Sequence, residues 1–296
     1  MYDEKISLLY LKGLVCRGCV RYPMRVESYG DCLTSGTYHV HARFRRTAHF
    51  ISGQILVSLV DPTIGKGPNH IVAAGLDIGA VETIEIGDQI FLINGTACAR
   101  EEERKYSSQL TPGHLNIPKL QKNIHVFEQC VYADAPENSL PKLQGSDMHM
   151  LENSPFNSVL LRQFISGWQA MKGGAFETGV RLLLGAGLGL TPSGDDFVAG
   201  YCSGLYLGGA RYARHRMRIA ETIDHASGAT NILSHTMLRY CCRGRFYERV
   251  KDLLVALISG NTREVSDRAS AMCAVGETSG VDFSFGLLCA LQDVVG

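Results

Sequence analysis

Between two apolar segments the chain reads Leu184-Gly185-Ala186-Gly187-Leu188-Gly189-Leu190-Thr191-Pro192-Ser193-Gly194-Asp195-Asp196-Phe197-Val198-Ala199-Gly200. Glycine permits positive φ and lets a ligand approach the backbone closely, and Pro192 pushes Thr191 toward an extended conformation. Ser193 is then placed to cap a helix that begins near Gly194. The stretch therefore predicts a glycine-rich loop followed by a buried helix.

The predicted helix start suits a bound anion, because it offers free N–H groups and the positive end of a helix dipole. Asp195 and Asp196 bring negative charge to the same end. They could bind a divalent cation such as Mg²⁺ together with a substrate phosphate, one could act as a general base, or they could hold a substrate amide or ammonium group. The purely structural alternative is a capped helix whose acids offset its dipole.

The second half of the chain shows helical periodicity. We predict helices over residues 156–171, 176–184, 195–209, 211–223, 231–242, 246–259, 262–274 and 281–291. Gly200, Gly204 and Gly208 recur every fourth position. They would line one face of their helix, so that a neighbouring helix can pack closely there.

The first third consists of short runs of β-branched or aromatic residues, separated by residues typical of turns. Strands are predicted over residues 38–42, 54–60, 71–74 and 89–93, and residues 121–132 could form a further strand or a short helix. The prediction is an α+β protein: a β-rich barrel or sandwich domain over residues 1–125, a connecting region over 126–154, and a mainly helical domain over 155–296.

Composition excludes several classes of protein. In 296 residues, Lys plus Arg and Asp plus Glu both number 29, so no global charge attracts nucleic acid or an anionic membrane. No signal peptide or membrane-spanning segment is evident in the sequence. The ten cysteines show no disulfide framework, and Cys16-x-x-Cys19 is taken as two free thiols rather than half of a zinc or redox site. A cytoplasmic location is expected.

Two further stretches repeat the chemistry of the opening one. Ser279-Gly280-Val281-Asp282 has the same Ser-Gly-x-Asp form as Ser193-Gly194-Asp195-Asp196, so the two helix starts could face one pocket. Thr230 and Ser234 lie at another helix start, where they could bind a ligand or serve only in capping. In the β region, Asn69 could present its amide to a ligand or simply form a turn.

The stretch from Gly187 to Phe197 resembles a bacterial family that is similar to the AllH-type subunit of oxamate carbamoyltransferase. Thr230, Ser234, the segment Thr278–Asp282 and the turn Gly67–Asn69 fit the resemblance. Ala186, Leu188 and Thr278 depart from the residues usual in the family, without removing a carboxylate. The candidate catalytic residues are Asp195 and Asp196, no metal ligands are assigned, and the candidate substrate-binding residues are Gly187, Gly189, Thr191, Ser193, Gly194, Thr230, Ser234, Thr278, Ser279, Asp282 and Asn69.

The resemblance implies a subunit that works with an FdrA-like partner and a third protein in allantoin or purine nitrogen catabolism. Such a complex would convert oxalurate and phosphate to oxamate and carbamoyl phosphate. The cofactor is left unknown, with a divalent cation as one option. The alternatives are a non-catalytic partner subunit of the FdrA-like protein, and a stand-alone enzyme that binds a small carboxylate or an acyl-CoA.

Overall fold

The computed structural model describes residues 24–145 and 155–296, apart from residues 112, 114 and 227. Within them, one nine-stranded sheet curls into a half-barrel and is followed by a helical region, which confirms the α+β prediction. Cys16 and Cys19 lie outside the described residues. Every cysteine within them is a free thiol.

The sheet has the strand order β8-β7-β6-β2-β3-β4-β5-β1-β9. Neighbouring strands are antiparallel except for the pairs β4–β5 and β1–β9. The strands are β1 (Arg25–Gly30), β2 (Gly36–Arg43), β3 (Thr47–Ser52), β4 (Ile55–Val60), β5 (His70–Ala74), β6 (Thr83–Ile86), β7 (Ile90–Ile93), β8 (Thr96–Ala99) and β9 (Lys105–Tyr106).

Side chains alternate along the central strands, so successive residues point to opposite faces of the sheet. Phe50, Val57 and Ile71 belong to the buried apolar core inside the half-barrel. Their neighbours His49, Ser58 and His70 therefore point to the opposite face, on the side of the helical region. That face forms one wall of the cleft described below.

The described helices are α1 (Ile117–Ala133), α2 (Leu140–Gly145), α3 (Pro155–Lys172), α4 (Phe176–Leu183), α5 (Ser193–Leu207), α6 (Ala213–His225), α7 (Ile232–Cys242), α8 (Glu248–Ser259), α9 (Thr262–Cys273) and α10 (Ser279–Val295). Helix α1 resolves the ambiguity over residues 121–132 in favour of a helix. It packs against α8, α9 and α10. The domain boundaries at residues 125 and 154 stay a prediction.

Helices α5 and α10 form the centre of the helical region and run parallel to each other. Gly200 meets Phe283 and Leu287, and further along α5 Gly204 meets Ala290. The contacts are reciprocal, since a Cβ at Gly200 would overlap the carbonyl oxygen of Phe283 and one at Gly286 would overlap that of Phe197. The predicted close packing on the glycine face is confirmed, and its partner is α10.

Polar contacts fasten the helical region to the sheet. Arg245 forms an ion pair of 3.0 Å with Asp31, and the hydroxyl of Tyr106 donates to the carbonyl of Phe246 at 3.0 Å. The backbone N–H of Lys66 donates to a carboxylate oxygen of Glu248 at 3.0 Å. Across residues 24–145 and 155–296, none of the helices combines the length and the apolar character needed to cross a membrane.

Candidate functional site

The parallel arrangement of α5 and α10 brings both Ser-Gly-x-Asp segments to the same end of the helical region. The hydroxyls of Thr191 and Ser279 lie 2.8 Å apart. The two helix starts are also built alike, because Gly194 N–H donates to Ala186 and Gly280 N–H donates to Val275, at 2.7 and 2.9 Å. The positive ends of two helix dipoles thus lie next to each other.

Ser193 does not cap α5, so that prediction was wrong. Pro192 occupies the cap position and Ser193 is the first helical residue. At the second start Thr278 is the cap residue, again without a side-chain capping bond. The reason is that the preceding loops supply the carbonyls that accept the first N–H groups, which leaves the serine hydroxyls free to face the neighbouring helix start.

The loop before α5 depends on glycine at Gly187 and Gly189. Their φ angles are +123° and +98°, a region that side-chain-bearing residues rarely adopt. A Cβ at Gly187 would also press against the backbone nitrogen of Ser193, at 2.5 Å. The loop backbone therefore lies tightly over the first turn of α5.

Asp195 holds this loop in place. Its side chain is fully buried, and one carboxylate oxygen accepts from the N–H of Gly185 at 2.8 Å. The other accepts from the Thr230 hydroxyl. Burial raises the pKa of Asp195, while the hydroxyls of Thr230 and Ser234 and the Gly185 N–H lower it. The structure thus places Thr230 and Ser234 against a carboxyl group of the protein itself.

The side chain of Asp196 points in a different direction from that of Asp195, because adjacent residues of a helix lie on different faces. It is 3% exposed, and its Oδ2 atom has no hydrogen-bond partner among the described residues. Burial raises its pKa well above the usual range, as do the nearby charges of Asp282 and Asp195, against the opposing effect of the Ser279 and Thr191 hydroxyls. The Asp196 carboxyl group therefore keeps its proton to a higher pH than an ordinary aspartate.

Asp282 occupies in α10 the position that Asp196 occupies in α5. It is fully buried, and its Oδ1 atom accepts from the N–H of Leu140 at 2.7 Å. Its Oδ2 atom has no hydrogen-bond partner within the described residues. Burial raises its pKa to about 6, although the Leu140 N–H and the hydroxyls of Ser193 and Thr278 lower it. Each helix start thus supplies a serine to the aspartate of the other.

The pKa of Asp282 gives a pH-dependent stability. Because its pKa is raised in the folded state, the folded protein binds the proton more tightly, and the stability that it contributes is lost as pH rises through about 6. Asp282→Asn removes this titration and keeps an acceptor for Leu140. We expect the free energy of unfolding of this variant, relative to wild type, to increase by roughly 2–3 kcal/mol between about pH 4 and about pH 7.

Urea unfolding of both proteins across that range measures the difference. Taking the difference between the two proteins removes the opposite contribution of His49 and His70, whose lowered pKa values make the fold more stable as pH rises. A difference that stays constant with pH would contradict the raised pKa of Asp282.

The two helix starts open onto a cleft of about 690 Å³ between the helical region and the sheet. Thr191, Ser193, Thr278 and Ser279 supply hydroxyls to its helix side, which the exposed Glu277 also lines. A smaller adjoining chamber of about 250 Å³ is bordered by Asp196, Ser279 and Gly280. Both spaces are also bordered by Ile64, His70, Thr191, Val275 and Ser279. Of the two paired acids, Asp196 is the one that borders the chamber.

Two histidines, His49 and His70, lie in the opposite wall of this cleft, beside Phe44, Thr47 and Ile64. His49 pairs with Ser58 across β3 and β4, and Ser58 pairs with His70 across β4 and β5, so the three side chains lie in one row. The Nδ1 atom of His49 lies 2.8 Å from the Ser58 hydroxyl. Burial is the main cause that lowers the pKa values of His49 and His70 to about 4, so both imidazoles are neutral at pH 7. Sequence analysis missed these residues, although strand alternation together with the correct pairing would have placed them on one face.

The structure does not bring the amide of Asn69 to the cleft. The side chain is 1% exposed, its Nδ2 atom donates to the carbonyl of Leu56 at 3.1 Å, and its Oδ1 atom accepts from the hydroxyl of Tyr247 at 3.1 Å. Through these two hydrogen bonds, Asn69 joins β4 to the start of α8. Within residues 24–145 and 155–296, no group of three His, Cys, Asp or Glu side chains is arranged to hold a metal ion.

Comparison with known proteins identifies the region that carries the site. No solved structure matches the chain significantly. A protein-family model matches residues 183–291, from the end of α4 into α10, and so includes the glycine loop and both helix starts. The sheet with its histidines lies outside the match. Over residues 183–291 the chain is therefore similar to the family of the oxamate carbamoyltransferase subunit AllH.

Proposed function

We propose that this protein is a subunit of an oxamate carbamoyltransferase-type complex and that the cleft binds its small anionic substrate. One observation carries the proposal: the matched region brings two helix starts and their hydroxyls to one cleft, and the buried carboxyl group of Asp196 borders the adjoining chamber. Helix N-termini and hydroxyl groups bind carboxylate and phosphate oxygens. Carboxyl groups with raised pKa values suit proton transfer near neutral pH.

The proposed reaction converts oxalurate and phosphate to oxamate and carbamoyl phosphate. A phosphate oxygen attacks the terminal carbamoyl carbon of oxalurate, a C–O bond forms, and the bond from that carbon to the oxamate nitrogen breaks. The nitrogen leaves as the amide of oxamate and takes up one proton, which balances the proton lost by phosphate. The reaction therefore needs a group that can deliver a proton to a departing nitrogen.

Asp196 fits that role best. It borders the smaller chamber, and its raised pKa favours the protonated form that can act as an acid. Asp195 instead positions the glycine loop through Gly185 and Thr230. Ser193, Thr191, Ser279 and the first-turn backbone would hold the anionic end of the substrate.

Cationic side chains border the smaller chamber as well. Lys66 forms an ion pair of 3.2 Å with Glu248, and Arg249 donates to the carbonyl of Thr63 at 2.9 Å. Both could reorient toward a phosphate group. A divalent cation such as Mg²⁺ is the alternative at this position: an ionised Asp196 would hold it together with phosphate oxygens and would then not serve as the acid, and adding EDTA and then Mg²⁺ to the assay tests it.

The proposed assembly contains an FdrA-like subunit and a third protein, and it operates in cytoplasmic allantoin or purine nitrogen catabolism. Pull-down of the FdrA-like protein with this chain tests the assembly. In the alternative of a non-catalytic subunit, variants of the cleft would leave both the pull-down and turnover intact. In the alternative of a stand-alone enzyme, the isolated chain would turn over a small carboxylate or an acyl-CoA.

Ligand binding distinguishes these alternatives at low cost. We expect oxamate, oxalurate or carbamoyl phosphate to raise the unfolding temperature of the isolated chain, because a ligand that binds only the folded state stabilises it by RT ln(1 + [L]/Kd), about 2.7 kcal/mol at a hundredfold excess over Kd. A thermal-shift screen with these compounds and coenzyme A measures the effect. A response to coenzyme A alone would support the stand-alone acyl-CoA alternative and contradict the proposed substrate.

A further inference from the structure

The turn Gly67-Pro68-Asn69-His70 has more local constraints than a simple turn requires. A Cβ at Gly67 would overlap the ring of Tyr247. Asn69 holds the hydroxyl of that tyrosine, and the Tyr247 ring packs against the imidazole of His70 with centroids 4.9 Å apart. These contacts all fix the position of one side chain, that of His70.

The orientation of the His70 ring determines which nitrogen can meet a ligand. Its Nδ1 atom lies 3.0 Å from the carbonyl oxygen of Gly65. A carbonyl can only accept a hydrogen bond, so Nδ1 carries the hydrogen and Nε2 of the neutral ring keeps a lone pair. The half-buried imidazole borders both the cleft and the adjoining chamber. Among the described residues, none is hydrogen-bonded to Nε2.

The chemistry of the two walls differs. Apart from the exposed Glu277, the helix side offers hydroxyl donors and two dipole ends, which suit the oxygens of an anion. A neutral imidazole with a lone pair repels such oxygens and accepts a hydrogen bond from an N–H group. Tyr247 and Asn69 keep this acceptor in place, as rigid support does for groups that bind ligands.

We propose that His70 is a specificity-determining residue whose Nε2 atom accepts a hydrogen bond from the uncharged amide or ureido N–H end of the substrate. This inference rests on the proposed function, because it assigns the two ends of that substrate to the two walls. Asn69, Gly67 and Tyr247 are then positioning residues. The contacts of these three residues explain how a turn in the sheet contributes to a site whose other groups lie on helices.

Oxamate and pyruvate provide a matched pair of probes. They have the same charge and nearly the same shape, but oxamate carries an NH₂ group where pyruvate carries a methyl group. We expect the full-length chain to bind oxamate about tenfold more tightly than pyruvate in titration calorimetry, the effect of one well-placed hydrogen bond. His70→Asn keeps a donor near the Gly65 carbonyl and removes the Nε2 acceptor, so it should abolish the preference by weakening oxamate binding alone.

His70→Gln places an amide oxygen near the position of Nε2 and should restore part of the preference. His39→Asn is the matched control, because His39 is exposed on β2 and lies outside the lining of the cleft. Equal binding of both probes by wild type, or an unchanged preference in a folded His70→Asn variant, would overturn the role of His70 and leave the proposed function standing. Failure of wild type to bind either probe would overturn the proposed function itself.

Discussion

Asp196→Asn is expected to lower the turnover of the reconstituted complex by roughly 10²–10⁴-fold, the range typical for loss of a general acid. The amide has nearly the shape of the carboxyl group but cannot deliver the proton that the departing oxamate nitrogen needs. The side chain is buried and its carboxyl group holds its proton strongly. Replacement by a neutral amide should therefore leave the unfolding temperature unchanged or slightly higher.

Asp195→Asn is the matched comparison, because the same chemical change falls on the neighbouring residue. Asp195 is bound by Gly185 and Thr230 and holds the loop, so we expect a loss of about tenfold or less in turnover and a lower unfolding temperature. Initial rates of carbamoyl phosphate formation and thermal unfolding of both variants test the assignment. Full turnover in Asp196→Asn, with none in Asp195→Asn, would reverse the two roles.

Gly200→Ala is expected to destabilise the protein by ~3 kcal/mol or more, or to prevent folding. The added methyl group would overlap the backbone carbonyl of Phe283, so α5 and α10 would have to separate along the centre of the helical region. The better helix propensity of alanine returns only about 1 kcal/mol. Backbone atoms of a buried helix cannot move aside as a flexible side chain can, so the steric cost dominates.

Two other glycines make a graded series with Gly200. At Gly204 the new methyl group would meet the Cβ of Ala290 at 2.5 Å and the carbonyl oxygen of Leu287 at 3.0 Å, a less severe overlap than the one with the Phe283 carbonyl at Gly200, so a smaller loss is expected. At Gly228 nothing lies within 4 Å, and Gly228→Ala should change stability by less than about 1 kcal/mol. Urea unfolding ranks the three variants. Wild-type stability in Gly200→Ala would show that the two helices are less tightly packed than their contacts indicate.

The helical half of the fold could be predicted because its signals are local. The recurrence of Gly200, Gly204 and Gly208 predicts a close helix contact, and the structure shows that contact with α10. The repetition of Ser-Gly-x-Asp likewise suggests one shared pocket, and the parallel packing brings the two segments together. What the repetition does not reveal is that the Ser193 hydroxyl lowers the pKa of Asp282 in the other helix start and does not cap its own helix.

The sheet side of the site could not be predicted because it depends on pairing between distant strands. His49 and His70 become neighbours only through the register of β3, β4 and β5, and β4 and β5 pair in parallel. Sequence analysis does not predict β3, whose polar ends obscure its alternation. For the same reason the sequence leaves Asn69 open between a ligand and a turn, whereas the structure shows its amide bound to Leu56 and Tyr247.

The reciprocal helix starts have a consequence for how a substrate is oriented. Two nearly equivalent serine–aspartate pairs would by themselves hold a small molecule in either of two opposite directions. The loop from Gly187 to Pro192 is longer than its counterpart before α10, and the additional acids differ in place: Asp195 lies within the first helix start, whereas Glu277 precedes the second. The glycine loop thus helps to break the local symmetry, and the lining of the two spaces shows the result: Asp196 is among the described residues that border them and Asp282 is not, so only one carboxyl group of the pair faces a substrate.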